Sequence, residues 1–347
     1  MIRGTRRQRR LVTLAIAMLV ALGLVVVVLD WSQLRQVIVR ANWGLVLPAL
    51  AFTTVSYACL SLSFATICRV FGVRLGRRDL FEIGFVSWAL NHLVASGGAA
   101  GYSLRMLLIK RRGLPVRDVL AASLFHSALN NLALFLLAPA GLVLLFLTHP
   151  SGGGAARALA LASGLLLVLL VVFWVLLFVG RVRNVTLRVA GGAWQRITHH
   201  DISARLTNLD ATMNRGVLAV RRRPKLITLP VTLVFLDWMA SAATLWFCFA
   251  ALGTVVRPGV LLTGFVTGVA AGLVSMVPGG LGVQDGSMAA VYALLGVPLR
   301  SAILAVVLFR LVYYIVPFMI SLLFYRRLLE EAGGEIPEPN YVGESGS

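Results

Sequence analysis

The side chains in this sequence best placed to do chemistry are ionisable groups set inside stretches otherwise too apolar to hold them. Arg310 lies nine residues into the run 301–324, beside Tyr313 and Tyr314. Asp237 falls near the middle of 226–252. Arg105 follows the small-residue stretch 96–101, and Asp285 follows the glycine-rich stretch 278–282. His126, Asn130 and Asn131 come in the next apolar run after Arg105. In hydrocarbon an arginine or aspartate costs at least about 2.5–3.5 kcal/mol on insertion scales, so each needs a partner, water or a ligand. Two arginines with planar forks suit a lipid phosphate. Helices beginning near Gly101 and Gly282 would aim their positive N-termini at the same anion. Arg105, Arg310, Asp285, Asp237 and Tyr313 are therefore the substrate-binding candidates. Structural roles compete with this. A pair of Arg310 with Asp237 or Asp285 would reduce the burial cost, Asp285 and Ser287 can cap a helix after Gly282, and Arg105 can snorkel to the surface. Glu82, near an interface, reads as structural, and His126 as a hydrogen-bonding group within the bundle.

Other chemistry finds no residues to carry it. There is no nucleophile elbow, no phosphate-binding loop of the nucleotide-hydrolase kind and no histidine pair with metal-ligand spacing, so no catalytic residue, metal or cofactor is expected. His199 and His200 sit in a basic stretch and read as solvated. Cys59, Cys68 and Cys248 lie in apolar segments as small buried hydrophobes. The longest polar segment has about 45 residues, too few for a catalytic domain of its own.

The elements that position these residues follow from composition. Of 347 residues 59% are hydrophobic and only 13% charged, and the mean hydropathy is +0.88. A soluble domain carries about a quarter charged residues, whereas several runs here reach the roughly 20 apolar residues that cross a bilayer. The runs lack alternation, which leaves helices. Six spans are expected, at 11–29, 44–68, 119–147, 158–179, 226–252 and 301–324. Residues 30–42 are too polar to span and belong at an interface. The net charge of +19 does not point to nucleic acid, because its placement follows topology. With a cytoplasmic N-terminus, 26 of the 32 Lys and Arg fall inside. Only Arg35, Arg40, Arg157, Arg257 and Arg300 fall outside, and Arg310 stays in the membrane. This is the positive-inside pattern, and the basic face would also attract anionic headgroups. It places both termini and the basic loop 180–225 in the cytoplasm of a bacterial-type inner membrane, with 151–154 outside. Helix is expected around 202–218, and the tail 329–347 is expected to be disordered.

Two apolar regions do not fit as simple spans. Residues 80–109 begin and end on basic clusters, and 260–295 begins and ends on the opposite side. Each is broken by glycines, at Gly97, Gly98 and Gly101, and at Pro278, Gly279, Gly280 and Gly282. A re-entrant hairpin accounts for each, with glycine permitting the reversal; two short tilted spans per region are the alternative. The regions also share landmarks in order. Gly84-Phe85-Val86-Ser87 matches Gly264-Phe265-Val266-Thr267, Gly113-Leu114-Pro115-Val116-Arg117 matches Gly296-Val297-Pro298-Leu299-Arg300, and Leu124-Phe125-His126 matches Leu308-Phe309-Arg310. Repeat-related segments of about 80–147 and 260–324, separated by an odd number of spans, form an inverted repeat, the architecture of many secondary transporters. A duplication without transport is the other reading.

Pro278-Gly279-Gly280-Leu281-Gly282-Val283, an acidic residue, Gly286, Leu295-Gly296-Val297-Pro298 and Leu308-Phe309-Arg310 with Tyr313-Tyr314 resemble the flippase-like transmembrane region of lysylphosphatidylglycerol synthetases. Ser96-Gly97-Gly98-Ala99-Ala100-Gly101-Tyr102-Ser103-Leu104-Arg105 is similar to its first-half motif. The family pattern usually has Glu where this chain has Asp285. The resemblance covers residues 10–328 and implies a single flippase-like domain over 1–328 that moves an anionic or aminoacylated phospholipid between leaflets. The family's cytoplasmic synthetase domain is not expected here, so no enzymatic activity is carried over. The expectation is an all-α polytopic membrane protein of about six full spans plus two opposed re-entrant hairpins in an inverted repeat. Its partners would be membrane lipids, with a homo-oligomer compatible with the chain. The alternative is a non-transporting subunit that docks a separate synthetase or glycosyltransferase.

Overall fold

The computed structural model describes residues 31–94, 99–110, 116–148, 179–198, 225–275 and 282–331, with single positions between and beside these ranges. The expected spans 11–29 and most of 158–179 lie outside the described residues. So do the stretch 151–154, the tail from 332, His199, His200, Gly97, Gly98, Pro278 and Gly279.

Among the described residues every element is helical. A short α1, Trp31–Arg40, precedes α2, Trp43–Val70. Two broken segments follow the same plan. In the first, α3 (Arg77–Val94) and α4 (Ala99–Lys110) lead into α5 (Val116–Thr148). The basic α6 (Gly180–Thr198) and the long α7 (Lys225–Ala251) come next. In the second segment, α8 (Pro258–Ser275) and α9 (Val283–Leu294) lead into α10 (Leu299–Arg310). A π-helical turn, Leu311–Ile315, joins α10 to α11, Val316–Glu331.

Five helices are long and apolar enough to cross a bilayer: α2, α5, α7, α8 and the continuous Leu299–Leu328. The chain is a multi-pass membrane protein. Four of these coincide with expected spans. The fifth, α8, was expected as half of a hairpin, yet its 18 residues have the length of a crossing. Its partner α9 has 12 residues and reaches only about 18 Å. The first segment has the same proportions, with 18 residues in α3 and 12 in α4.

α2 and α7, which the sequence landmarks do not reach, share a C-terminal closure that also ends α9 at Gly296. Both end on a left-handed glycine, Gly72 at φ +82° and Gly253 at φ +72°. In both the next amide bonds a carbonyl five residues back, Val73 to Cys68 and Thr254 to Phe249, each at 3.0 Å. This is the closure that lets a helix stop while its last carbonyls stay satisfied.

α2 and α7 lie along each other at the centre. Small hydroxylated residues let them approach, as at Thr53 and Thr244, whose Oγ1 atoms are 3.4 Å apart. Around this pair the contacts repeat. α3 packs on α2 and α11, α8 packs on α7 and α5, α4 lies on α3 and α5, and α9 lies on α8 and α10. A glycine stripe at Gly264, Gly268 and Gly272 seats α9 against α8. A Cβ there would stand 2.2 Å from Tyr292, 2.8 Å from Met288 and 2.9 Å from Gln284.

Two boundaries differ from the sequence reading. The last helix runs to Glu331, past the expected start of the tail at 329. The basic stretch expected to be helical only around 202–218 is already helical from Gly180. Its Arg183 reaches Asp210 at 2.5 Å and Asn214 at 2.8 Å, a tertiary pairing that local propensity does not reveal.

Candidate functional site

A cavity of about 180 Å³ lies where the two broken segments meet beside α7. Its walls combine aromatic rings, Trp88 from α3, Tyr102 from α4, Trp238 from α7, and Tyr313 and Tyr314 from the π-turn, with polar side chains such as Asn130 and Asn131 from α5. The wider π-turn follows Arg310 directly and presents both tyrosines to the cavity, a local distortion frequent at functional sites. Asn130 accepts two bonds from Trp238 Nε1, through its Oδ1 at 3.0 Å and its backbone oxygen at 3.1 Å. That fixes the indole as a wall. Gln284 Nε2 donates to Tyr314 Oη at 2.7 Å.

Asp237 lines this cavity and is 3% exposed. Ser56 of α2 donates to its Oδ1. Tyr313 Oη lies 2.8 Å from Ser56 Oγ and 2.7 Å from Ser241 Oγ, and Ser241 donates to the Asp237 carbonyl at 2.9 Å. The Ser56 hydroxyl thus bonds the carboxyl while Ser241 bonds the backbone carbonyl of Asp237, and among the described residues no cation stands at ion-pair distance from the carboxyl. A buried carboxylate without a counter-charge is costly. Facing a cavity with aromatic walls, it suits an organic cation, which gains from both the carboxylate and the ring faces.

Arg310 has a partner. Its Nε meets Asp285 Oδ1 at 2.9 Å and its Nη2 meets Oδ2 at 2.8 Å, a two-bond fork. Asp285 also accepts from the Gly282 amide at 3.2 Å, so it caps α9 and neutralises Arg310 at once. Of the two acids left open by the sequence, the structure joins Asp285 to Arg310 and leaves Asp237 apart. Tyr314, with its ring centroid 5.1 Å from the Arg310 guanidinium, separates the pair from the cavity. The turn glycines Gly280 and Gly282 have φ of +59° and +77°.

Arg105 is only 2% exposed, so it does not snorkel. Its guanidinium carbon lies 4.1 Å from the Phe64 ring centroid, 5.2 Å from that of Trp88 and 5.8 Å from that of Tyr102. Gly101 sits in the first turn of α4, where a Cβ would stand 2.7 Å from the Ser87 carbonyl oxygen. It therefore serves close helix packing. Glu82 is buried between Arg327 Nη1 at 2.6 Å and Arg78 Nε at 3.0 Å, tying α3 to α11.

Asp237, Tyr313 and Gly280 of the expected residues line the cavity. Arg105 adjoins it through Trp88 and Tyr102, and the Arg310–Asp285 pair through Tyr314. Sequence reasoning did not single out Trp88, Trp238, Ser56, Ser241, His92 or Gln284, since serines and aromatics are unremarkable in apolar helices. One signal was available: Gln284 stands directly beside Asp285. Among the described residues no group of His, Cys, Asp and Glu could hold a metal ion.

Comparison with known proteins adds three findings. The family model described as the lysylphosphatidylglycerol synthase TM region matches residues 12–321. A UPF0104 membrane protein of Methanothermobacter thermautotrophicus is 22% identical over 302 residues, covering 85% of this chain and 88% of that protein. A phosphatidylglycerol lysyltransferase of Staphylococcus aureus is 34% identical over 87 residues, which are 25% of this chain and 10% of the lysyltransferase.

Proposed function

Since the chain belongs to the lysylphosphatidylglycerol synthase transmembrane family, we propose that it moves a phospholipid between leaflets, with an aminoacylated, lysylphosphatidylglycerol-like headgroup passing through the cavity between the broken segments. The observation that carries this reading is Asp237, a buried carboxyl without a cation in a cavity with aromatic walls. An ammonium group of the headgroup supplies the missing counter-charge, and the indole and phenol faces stabilise it further. The family relationship makes a lipid the natural bearer of that ammonium.

The fold supports a transport mechanism. The matched helix lengths, the shared glycine closures of α2 and α7 and the recurring contacts support an inverted repeat. In this reading α3–α4 and α8–α9 enter from opposite sides and meet at the cavity. The basic residues of α6 and around the Glu82–Arg327 contact support a cytoplasmic position for both. Contacts α3–α11 and α5–α8 then close opposite ends, and rocking of one half against the other opens them alternately. The docking alternative draws on α6, which exposes Trp194 at 50% together with exposed Arg181 and Arg188, a face suited to a soluble partner.

The test is reconstitution of the protein in vesicles with fluorescent phosphatidylglycerol or its lysyl ester and a reductant added outside. Lipid movement above that of protein-free vesicles is expected, with Asp237→Asn slowing the lysyl ester about tenfold or more and affecting the unmodified lipid less. A wild-type protein that moves neither lipid would sink this reading and favour docking.

A further inference from the structure

The two halves treat their buried arginines differently. In the second half Arg310 is matched by Asp285. In the first half the residue aligned with Arg310 by the Leu-Phe landmark is His126. Between the matched landmarks Gly84/Gly264 and Gly113/Gly296 the position of Asp285 falls within Tyr102–Arg105, where no residue is acidic. Arg105 stands on this same stretch of α4. This half thus holds a buried cation with no acid at the corresponding place.

The surroundings of Arg105 are incomplete as well as unbalanced. Its Nε and Nη1 are buried and make no hydrogen bond, and the same holds for both ring nitrogens of His126. His126 packs against the rings that hold Arg105, with centroids 5.6 Å from Trp88 and 6.0 Å from Phe64. Among the described residues no carboxylate lies at ion-pair distance from Arg105. Ring faces attract a guanidinium but accept none of its in-plane N–H bonds. A buried arginine with free in-plane donors suits an oxyanion, which takes two parallel bonds from the fork.

We propose that Arg105, assisted by His126, is an oxyanion site for the phosphodiester of the transported lipid. The assignment to a lipid rests on the function proposed above; the site itself does not. Trp88 and Tyr102 border both this arginine and the cavity of Asp237. An aminoacylated lipid is therefore held at two points, its ammonium by Asp237 and its phosphate by Arg105. A purely structural arginine would stabilise the protein in the absence of any anion. A ligand-binding one leaves the empty protein carrying an uncompensated charge, which binding relieves.

The experiment is thermal unfolding of the delipidated protein in neutral detergent, titrated with short-chain phosphatidylglycerol, short-chain phosphatidylcholine or inorganic phosphate. Arg105→Met should unfold at or above the wild-type temperature without ligand. Phosphatidylglycerol should raise the wild-type temperature and bind the variant about tenfold or more weakly. Arg105→Lys keeps the charge and serves if the methionine variant does not fold; it should show weakened phosphatidylglycerol binding with unchanged ligand-free stability. Equal stabilisation by inorganic phosphate supports the oxyanion site and overturns the lipid assignment. Undiminished phosphatidylglycerol binding by the variants, or ligand-free destabilisation of both, overturns the site. The readout is binding rather than lipid movement, so it stands or falls apart from the transport reading.

Discussion

Asp285→Asn is the most informative single change at the Arg310 pair. The amide keeps an oxygen that can accept from the Gly282 amide, so the cap on α9 survives while the charge is lost. What remains is Arg310, whose side chain is 9% exposed, facing a neutral group. Removing one partner of a fully buried ion pair costs about 3–5 kcal/mol. The Asp285 side chain is 25% exposed, so water recovers part of that, and about 2–3 kcal/mol is expected. At roughly 2 °C per kcal/mol for a chain of this size, the unfolding temperature should fall about 4–6 °C. Arg310→Met on its own strands Asp285 and should cost somewhat less, the carboxylate being the more exposed partner. Combining the two changes removes both charges and should return stability to within about 1 kcal/mol of wild type, leaving a coupling of about 3–4 kcal/mol in the double-mutant cycle. Thermal unfolding of the four proteins in detergent measures this, and lipid movement in vesicles is read on the same samples. Additive losses would refute the pairing as the dominant role of these residues. Loss of lipid movement in a stable double variant would put Arg310 among the headgroup ligands.

Two further outcomes follow from close packing and from charge. At Gly259 a Cβ would stand 2.5 Å from the Leu145 nitrogen and 2.7 Å from the Leu144 carbonyl carbon. Gly259→Ala should therefore push α8 off α5 and destabilise the protein by about 1–3 kcal/mol. Gly286, with nothing within 4 Å of its Cβ position, should gain up to about 1 kcal/mol on substitution by Ala; the same sign at both sites in thermal unfolding would contradict the packing. Single cysteines introduced in α6 should react with a membrane-impermeant reagent only after the cell is opened, and labelling of α6 in intact cells would reverse the proposed orientation.

Much of the architecture was legible because it rests on local quantities. Transfer energies and run lengths identify the membrane helices at α2, α5, α7 and α10–α11, and glycines break the apolar runs at the places where α3 gives way to α4 and α8 to α9. The order of Gly, Pro and Phe landmarks relates the two broken segments without any knowledge of contacts. The likeness of α2 and α7 was not legible because what they share is a backbone closure at Gly72 and Gly253 rather than a string of matching residues. Arg105, Arg310, Asp237 and Asp285 were recognisable as candidates, since a charge in hydrocarbon is expensive wherever it points. Their partners were not recognisable. Whether Arg310 meets Asp237 or Asp285 depends on how α7, α9 and α10 are rotated about their axes. A turn of about 100° per residue separates the two outcomes. The burial of Arg105 among Phe64, Trp88 and Tyr102 required α2, α3 and α4 to be assembled, and the π-turn that brings Tyr313 and Tyr314 to the cavity shifts side-chain phase in a way that helical periodicity does not anticipate. Which segments enter the membrane is settled by the solvation of each segment on its own, whereas which charges meet is settled only by the packing of helices distant in the chain.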